Sequence, residues 1–328
     1  MRDQEYYKII WDEAELKKFY DTILTRKALL PNEVRYCSLS ARNKYLDMAE
    51  RKIYGLSRTE MFGKQVVRHE TWEAYLQTVR RYECNVQGYL TKNGLPYPQK
   101  ALVCYANINP SDVLKTIGEM NKVIDESKDA LVFAAIKGSK AGVDDAFHKI
   151  RKVEDKLLSL YARNIGTKTW VDFDFDIDKS LVPAVVDIMD AFFLAKENPE
   201  HHWVDTKGGA HMLFFKENLR YDPACICAMG AVALEIAMRL AKGNVPQHID
   251  LDAAHAVFDS VEIIKNSNEM IPIPGTLQGL FPVKFITSSE QYGIYDHLIK
   301  EMVQAFGVKW PVLKEKKPLE EFDEDSET

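Results

Sequence analysis

From Val171 to Asp178 the chain alternates apolar and acidic residues without a break: Val171, Phe173, Phe175 and Ile177 interleave with Asp172, Asp174, Asp176 and Asp178. A strand has a side-chain period of two, so this pattern predicts an apolar face turned to a core and four carboxylates on the other. Carboxylates spaced about 6–7 Å apart along one face repel and raise one another's pKa unless positive charge stands among them. Hard carboxylate oxygens suit Mg²⁺ or Mn²⁺. An EF-hand loop fits poorly, because its sixth position calls for Gly and the residues between the acids here are large and β-prone. The plainer alternative is an exposed strand with its acids in water.

Two further segments carry chemistry. Asp205-Thr206-Lys207-Gly208-Gly209-Ala210-His211 joins a Gly-Gly turn, whose backbone amides are open, to a cation and an imidazole at the start of an apolar strand. Amides, ammonium and imidazole together suit a triphosphate. The stretch Phe258-Asp259-Ser260-Val261-Glu262-Ile263-Ile264-Lys265-Asn266 offers a third acid just before a β-prone run. Asp259 follows an apolar residue and stands six before Lys265, which favours it over Glu262.

These residues need elements to position them. Residues 1–95 read as mostly helical, with Asp12 capping a run of Leu16, Phe19, Tyr20 and Ile23, and with an extended Arg35–Ser40. Lys92–Pro98 is turn chemistry and marks a seam. Beyond it, strands are expected at Ala101–Tyr105, Ala130–Ile136 and Trp170–Ile177. Ser111 is expected to cap a helix through Met120, and another helix covers 144–161. Helix 181–195 leads to a hairpin, His201–Asp205 with Ala210–Phe215. Helices over 223–241 and 250–258, strands at 261–264 and 281–285, and a helix over 289–306 complete the chain. Strands that do not alternate one-for-one with helices predict an α+β fold with a mixed or antiparallel central sheet.

In order and spacing the three constellations resemble the motifs of the archaeo-eukaryotic primase superfamily, in its primase-polymerase branch: an hhhDhD strand, then S-x-H, then hD with a basic or hydroxyl-bearing stretch beyond. Asp172 and Asp174 stand at the first motif, with Asp176 an alternative in the same D-x-D spacing. Lys207 and His211 stand at the second and Asp259 at the third, with Lys265-Asn266 and Pro274-Gly275-Thr276 beyond. Gly209 stands where the family has Ser. Ala41–Tyr45 and Asn107–Pro110 are also similar, so the resemblance covers about residues 35–290. It implies an N-terminal α/β module packed on an RRM-like sheet, helical additions at the N-terminus, a catalytic core over 96–310, and two-metal nucleotidyl transfer. Asp172, Asp174 and Asp259 would hold two Mg²⁺ or Mn²⁺ ions. Lys207, Gly208, Gly209 and His211 would bind the triphosphate, with Lys265, Arg42 and Lys284 as further phosphate or template contacts. The implied activity is a DNA primase-polymerase that joins dNTPs or NTPs to a primer 3′-hydroxyl or an initiating nucleotide on single-stranded DNA. The competing readings are a metal-dependent nuclease, which lacks need of a triphosphate pocket, and an inactive replication-initiation or nucleic-acid-binding protein, which the Gly209 departure favours.

Composition narrows the classes. An apolar content of 46% beside 28% charged residues is that of an ordinary globular chain, not a disordered one. Five cysteines exclude a disulfide scaffold and point to a reducing compartment, and Cys225 with Cys227 reads as a thiol pair rather than a zinc site. No apolar run reaches the roughly 18 residues of a bilayer span, and no secretory signal opens the chain; a cytoplasmic location is expected. The net charge of −6 resides in the last nine residues, which hold six acids and no base. Residues 311–328 therefore read as a solvated acidic tail, a docking element for a separate helicase or single-strand-binding protein.

Overall fold

The computed structural model describes residues 5–68, 71–151, 160–161, 163–194, 200–219, 223–243, 264–266 and 270–287. The expected helices over 250–258 and 289–306, the strand at 261–263 and the acidic tail lie outside these. The chain divides into two compact units, residues 1–170 with 267–285, and residues 171–266 with 286–328. The Lys92–Pro98 turn falls within the first.

The first unit is α+β. Helix α1 (Glu13–Phe19) starts at Asp12, whose side chain accepts from the amides of Ala14 and Glu15, and runs on into a widened π turn, Tyr20–Leu24. Strand β1 (Glu33–Ala41) is the spine of the sheet. It pairs antiparallel with β2 (Glu60–Val67) on one side and with β3 (Leu102–Asn107) on the other, while β4 (Ser111–Asp112) pairs its start. Strand β9 (Met270–Pro272) extends the sheet beyond β3. Two short helices, α2 (Met48–Tyr54) and α3 (Trp72–Arg80), lie between these strands in sequence. The expected extended Arg35–Ser40 lies in β1, where Tyr36, Cys37, Leu39 and Ala41 form a buried strand centre, and β2 is a second strand among the helices of this segment. Helices α4 (Val113–Ile136) and α5 (Lys140–Arg151) pack on each other.

Two expectations are corrected in α4. The run Ala130–Ile136 is the last two turns of this helix and not a strand. Its N-cap is Asp112, which accepts from the amide of Lys115, whereas Ser111 donates to the carbonyl of Tyr161. Either residue type can cap; the Ser111 hydroxyl is already engaged, donating to Tyr161 O and accepting from Asn107 Nδ2.

Among its described residues, the second unit is one sheet with two helices. Its strands are β5 (Trp170–Phe175), β6 (His201–Thr206), β7 (Gly209–Phe215), β8 (Ile264–Asn266) and β12 (Lys284–Thr287), in the order β12-β6-β7-β5-β8. The remaining strands, β10 (Leu277–Gln278) and β11 (Phe281–Pro282), form a separate pair in the first unit. Helices α6 (Val182–Leu194) and α7 (Pro223–Ala241) cover one face of the larger sheet. Val171, Phe173, Phe175 and Ile177 join Trp203, Met212 and Phe214 against Val185, Met189 and Phe193 of α6 and Ile226 and Ala233 of α7. Burying side chains of this size contributes about 1.5–3 kcal/mol each. Among the described residues, no helix is long and apolar enough to cross a membrane.

Candidate functional site

The apolar half of the alternating segment is the core face, as its period predicts. The acidic half is not a uniform row. β5 ends at Phe175, so only Asp172 and Asp174 stand on the strand. Asp176 follows it and is exposed, and Asp178 accepts from the amide and hydroxyl of Ser180, capping the turn Lys179–Leu181 that leads into α6. Those two bonds hold the Asp178 carboxyl below the ordinary carboxylate range. The expected four-carboxylate face is therefore a pair of acids, one exposed acid and one helix-leading cap.

The pair has a partner. Strand β7 neighbours β5, and its residues alternate in the same way: Ala210, Met212 and Phe214 enter the core while His211 faces the other side. Nδ1 of His211 lies 3.1 and 3.2 Å from the two oxygens of Asp172, and Nε2 lies 3.7 Å from Oδ1 of Asp174. Asp172 is 1% exposed, whereas Asp174 retains solvent access. One carboxylate is thus buried against an imidazole, and the next keeps solvent access beside the same ring. Strand β8 completes this edge: its antiparallel register sets Lys265 directly opposite Asp174.

The hairpin that carries His211 has a tight turn of Lys207 and Gly208, closed by the pairing of Thr206 with Gly209. Gly209 is therefore the first residue of β7 and not part of a Gly-Gly turn. Its φ is +145°, a region closed to most side chains, and a Cβ there would overlap the carbonyl oxygen of Phe175 and stand 3.0 Å from the amide of Ile177. Glycine at this position is a consequence of how closely the end of β5 approaches the hairpin. A serine has no room. Beside the turn, Lys179 pairs with the buried Asp205.

The remaining predicted residues are distributed otherwise. Arg42 belongs to the first unit and donates from Nη1 to the hydroxyl of Tyr105 at 2.6 Å, while Lys284 is the exposed first residue of β12, a strand whose residues 284–285 fall in the first unit and 286–287 in the second. Asp259 and Glu262 lie outside the described residues. Among the described residues, no group of three or more His, Cys, Asp or Glu side chains is arranged to hold a metal ion.

Asn109 carries a positioning role that its type and spacing did not reveal. Its Oδ1 accepts from the amides of Thr169 and Trp170 at 2.7 and 2.8 Å, and its Nδ2 donates to the carbonyl of Trp170 at 2.8 Å. One side-chain amide thereby holds the chain as it enters β5. A buried Asn in an apolar neighbourhood before Pro110 is the available sequence signal, since such a group must find partners.

Comparison with protein-family models, with curated proteins and with solved structures finds no match to this chain.

Proposed function

We propose that this chain is a template-directed nucleotidyltransferase of primase-polymerase type, acting with dNTPs or NTPs on single-stranded DNA. The observation that supports this reading best is the grouping of Asp172, Asp174 and His211 on the face of one sheet opposite its apolar core, with Lys265 in register opposite Asp174. The donor chemistry fits a hard divalent cation: Asp174 is an accessible carboxylate, and Asp172 is a second on the same strand face. Asp172 and Asp174 would hold Mg²⁺ or Mn²⁺, with Asp259 the proposed third ligand. Bound there, such ions supply activation of an attacking 3′-hydroxyl and neutralisation of the leaving pyrophosphate.

The chain's own residues do the rest. The contact of Nδ1 with Asp172 fixes the ring of His211 and presents Nε2 beside Asp174. Lys207 and the amides of Gly208 and Gly209 lie on the same hairpin and would bind phosphate oxygens, with the glycine backbone unshielded by a side chain. The Gly209 departure then costs a hydroxyl for which the approach of Phe175 leaves no room, so it does not by itself argue for an inactive site.

The test is nucleotide incorporation on single-stranded templates, with and without primer, in Mg²⁺ and in Mn²⁺. Wild type should give products, and Asp172→Asn/Asp174→Asn should lose about 100-fold or more, the scale for removing groups that stabilise transition-state charge. Folded wild-type protein that binds DNA but yields no product would sink the proposal in favour of an inactive binding protein. Template cleavage without incorporation would indicate a nuclease.

A further inference from the structure

In the first unit, the π turn and the loop after it line a cavity of about 340 Å³ that opens to the surface. A π turn lacks the regular i→i−4 ladder, and here the freed carbonyls are used: Thr25 N reaches back to Tyr20 O, while Ile23 O accepts from the indole of Trp170 at 3.1 Å and Leu24 O accepts from Arg35. The walls are cationic on one part and apolar on another. Lys27, Arg35 and Arg68 line it together with Tyr20, Leu24 and Leu29.

Arg35 makes this cavity unusual. It sits mid-sheet on β1, 5% exposed, and its hydrogen bonds run to two main-chain carbonyls, Ile108 O at 3.1 Å and Leu24 O. Burial depresses its pKa to about 10, against 12.5 ordinarily. A guanidinium has five N–H donors in a planar fork, so two carbonyls leave donors over for a ligand. The buried carboxylate of Glu33, two residues earlier, is engaged by the amides of Leu30 and Thr167. A buried cation with partial compensation is a place where an anion binds well. Arg68, at the exposed rim, donates to Pro31 O at 3.1 Å and adds a second guanidinium. The ring of Tyr20, stacked on Tyr75 with centroids 5.2 Å apart, gives a rigid apolar wall.

We infer that this cavity is a binding site for an organic phosphate, a phosphate monoester held by Arg35, Arg68 and Lys27 with its compact body against Tyr20, Leu24 and Leu29. A phosphate monoester is largely dianionic at pH 7 and matches more than one cation, and a guanidinium fork meets two of its oxygens at once. The site is separate from the acidic strand of the second unit and stands whether or not that strand is catalytic.

The experiment is calorimetric titration of the full chain with AMP, inorganic phosphate and adenosine at matched ionic strength. AMP should bind, phosphate more weakly, and adenosine not measurably. Arg68→Gln, at an exposed position, should weaken AMP about tenfold, the scale of one charge-assisted hydrogen bond, and Lys27→Gln should weaken it as well. Asp172→Asn/Asp174→Asn should bind AMP as wild type does, which separates this site from the proposed catalytic one. Arg35→Lys, tested beside them, should lose AMP with its thermal transition retained. Equal binding of AMP and adenosine, or unchanged affinity in Arg68→Gln and Lys27→Gln, would each overturn the inference.

Discussion

At the scale of single residues, the candidate site turns on the contrast between Asp172, buried against His211, and Asp174, open beside it. The same scale explains Gly209. If a missing serine hydroxyl were a defect of the site, Gly209→Ser would raise activity. The structure predicts the opposite, since a Cβ at φ +145° meets the Phe175 carbonyl and either β5 or the hairpin must move. Backbone strain of this kind costs about 1–3 kcal/mol before the overlap is counted. Gly209→Ser and Gly209→Ala should therefore both shift the denaturant midpoint down by a similar amount, and both should reduce incorporation. A serine variant as stable as wild type would show that β5 and the hairpin are not in this contact.

At the scale of elements, helix α6 is fixed to β6 by a buried polar group within an apolar core. Oδ1 of Asp190 receives the indole N–H of Trp203 at 2.9 Å and lies 2.7 Å from Nε2 of His201, all of them at most 1% exposed. Asp190→Ala strands two buried donors, each costing about 1–3 kcal/mol. Asp190→Leu with His201→Phe removes both ends and should recover part of that loss; a double variant worse than the sum of the singles would contradict a mutual hydrogen bond. Legibility follows the same logic. The limits of α7 and the hairpin were readable because each has a core face with its own period: Ala210, Met212 and Phe214 alternate, and Ile226, Met229 and Ala233 repeat at helical spacing. The end of α4 was not. Its buried side is Thr116, Met120, Ser127 and Ala134, while Val132, Phe133 and Ile136 are exposed, so the apolar cue points away from the packed face and 130–136 reads locally as a strand. β1 was half legible, because buried polar residues such as Arg35, Ser38 and Ser40 broke the alternation that would mark a full strand. At the site, Asp172, Asp174 and His211 were legible from period and motif. Their hydrogen bond and the grip of Asn109 on Trp170 depend on residues 39 and about 60 positions apart, which no local pattern encodes.

At the scale of the molecule, the described groups with strongly raised phenol and thiol pKa values all belong to the first unit. Burial lifts Tyr7 and Tyr36 from 10.0 to about 12 and Cys37 from 9.0 to about 12, and pushes Tyr75, Tyr82 and Cys104 higher still. Each of these groups keeps its proton in the folded chain at a pH where the unfolded chain releases it. Their contribution to stability is complete below about pH 9 and falls as pH rises through 9–12, because unfolding then becomes coupled to proton release. One pKa unit on one group corresponds to about 1.4 kcal/mol, and these groups all act in the same direction. Alkaline titration should give a cooperative loss of far-UV circular dichroism between pH 10 and 12, with phenolate absorbance at 295 nm rising in the same step. Tyr36→Phe removes one such group and should move the step to higher pH. Phenolate absorbance that rose smoothly around pH 10, with circular dichroism unchanged, would mean that the phenols of β1 and α3 reach solvent in the folded chain, and the buried sheet that also holds Arg35 would have to be redrawn.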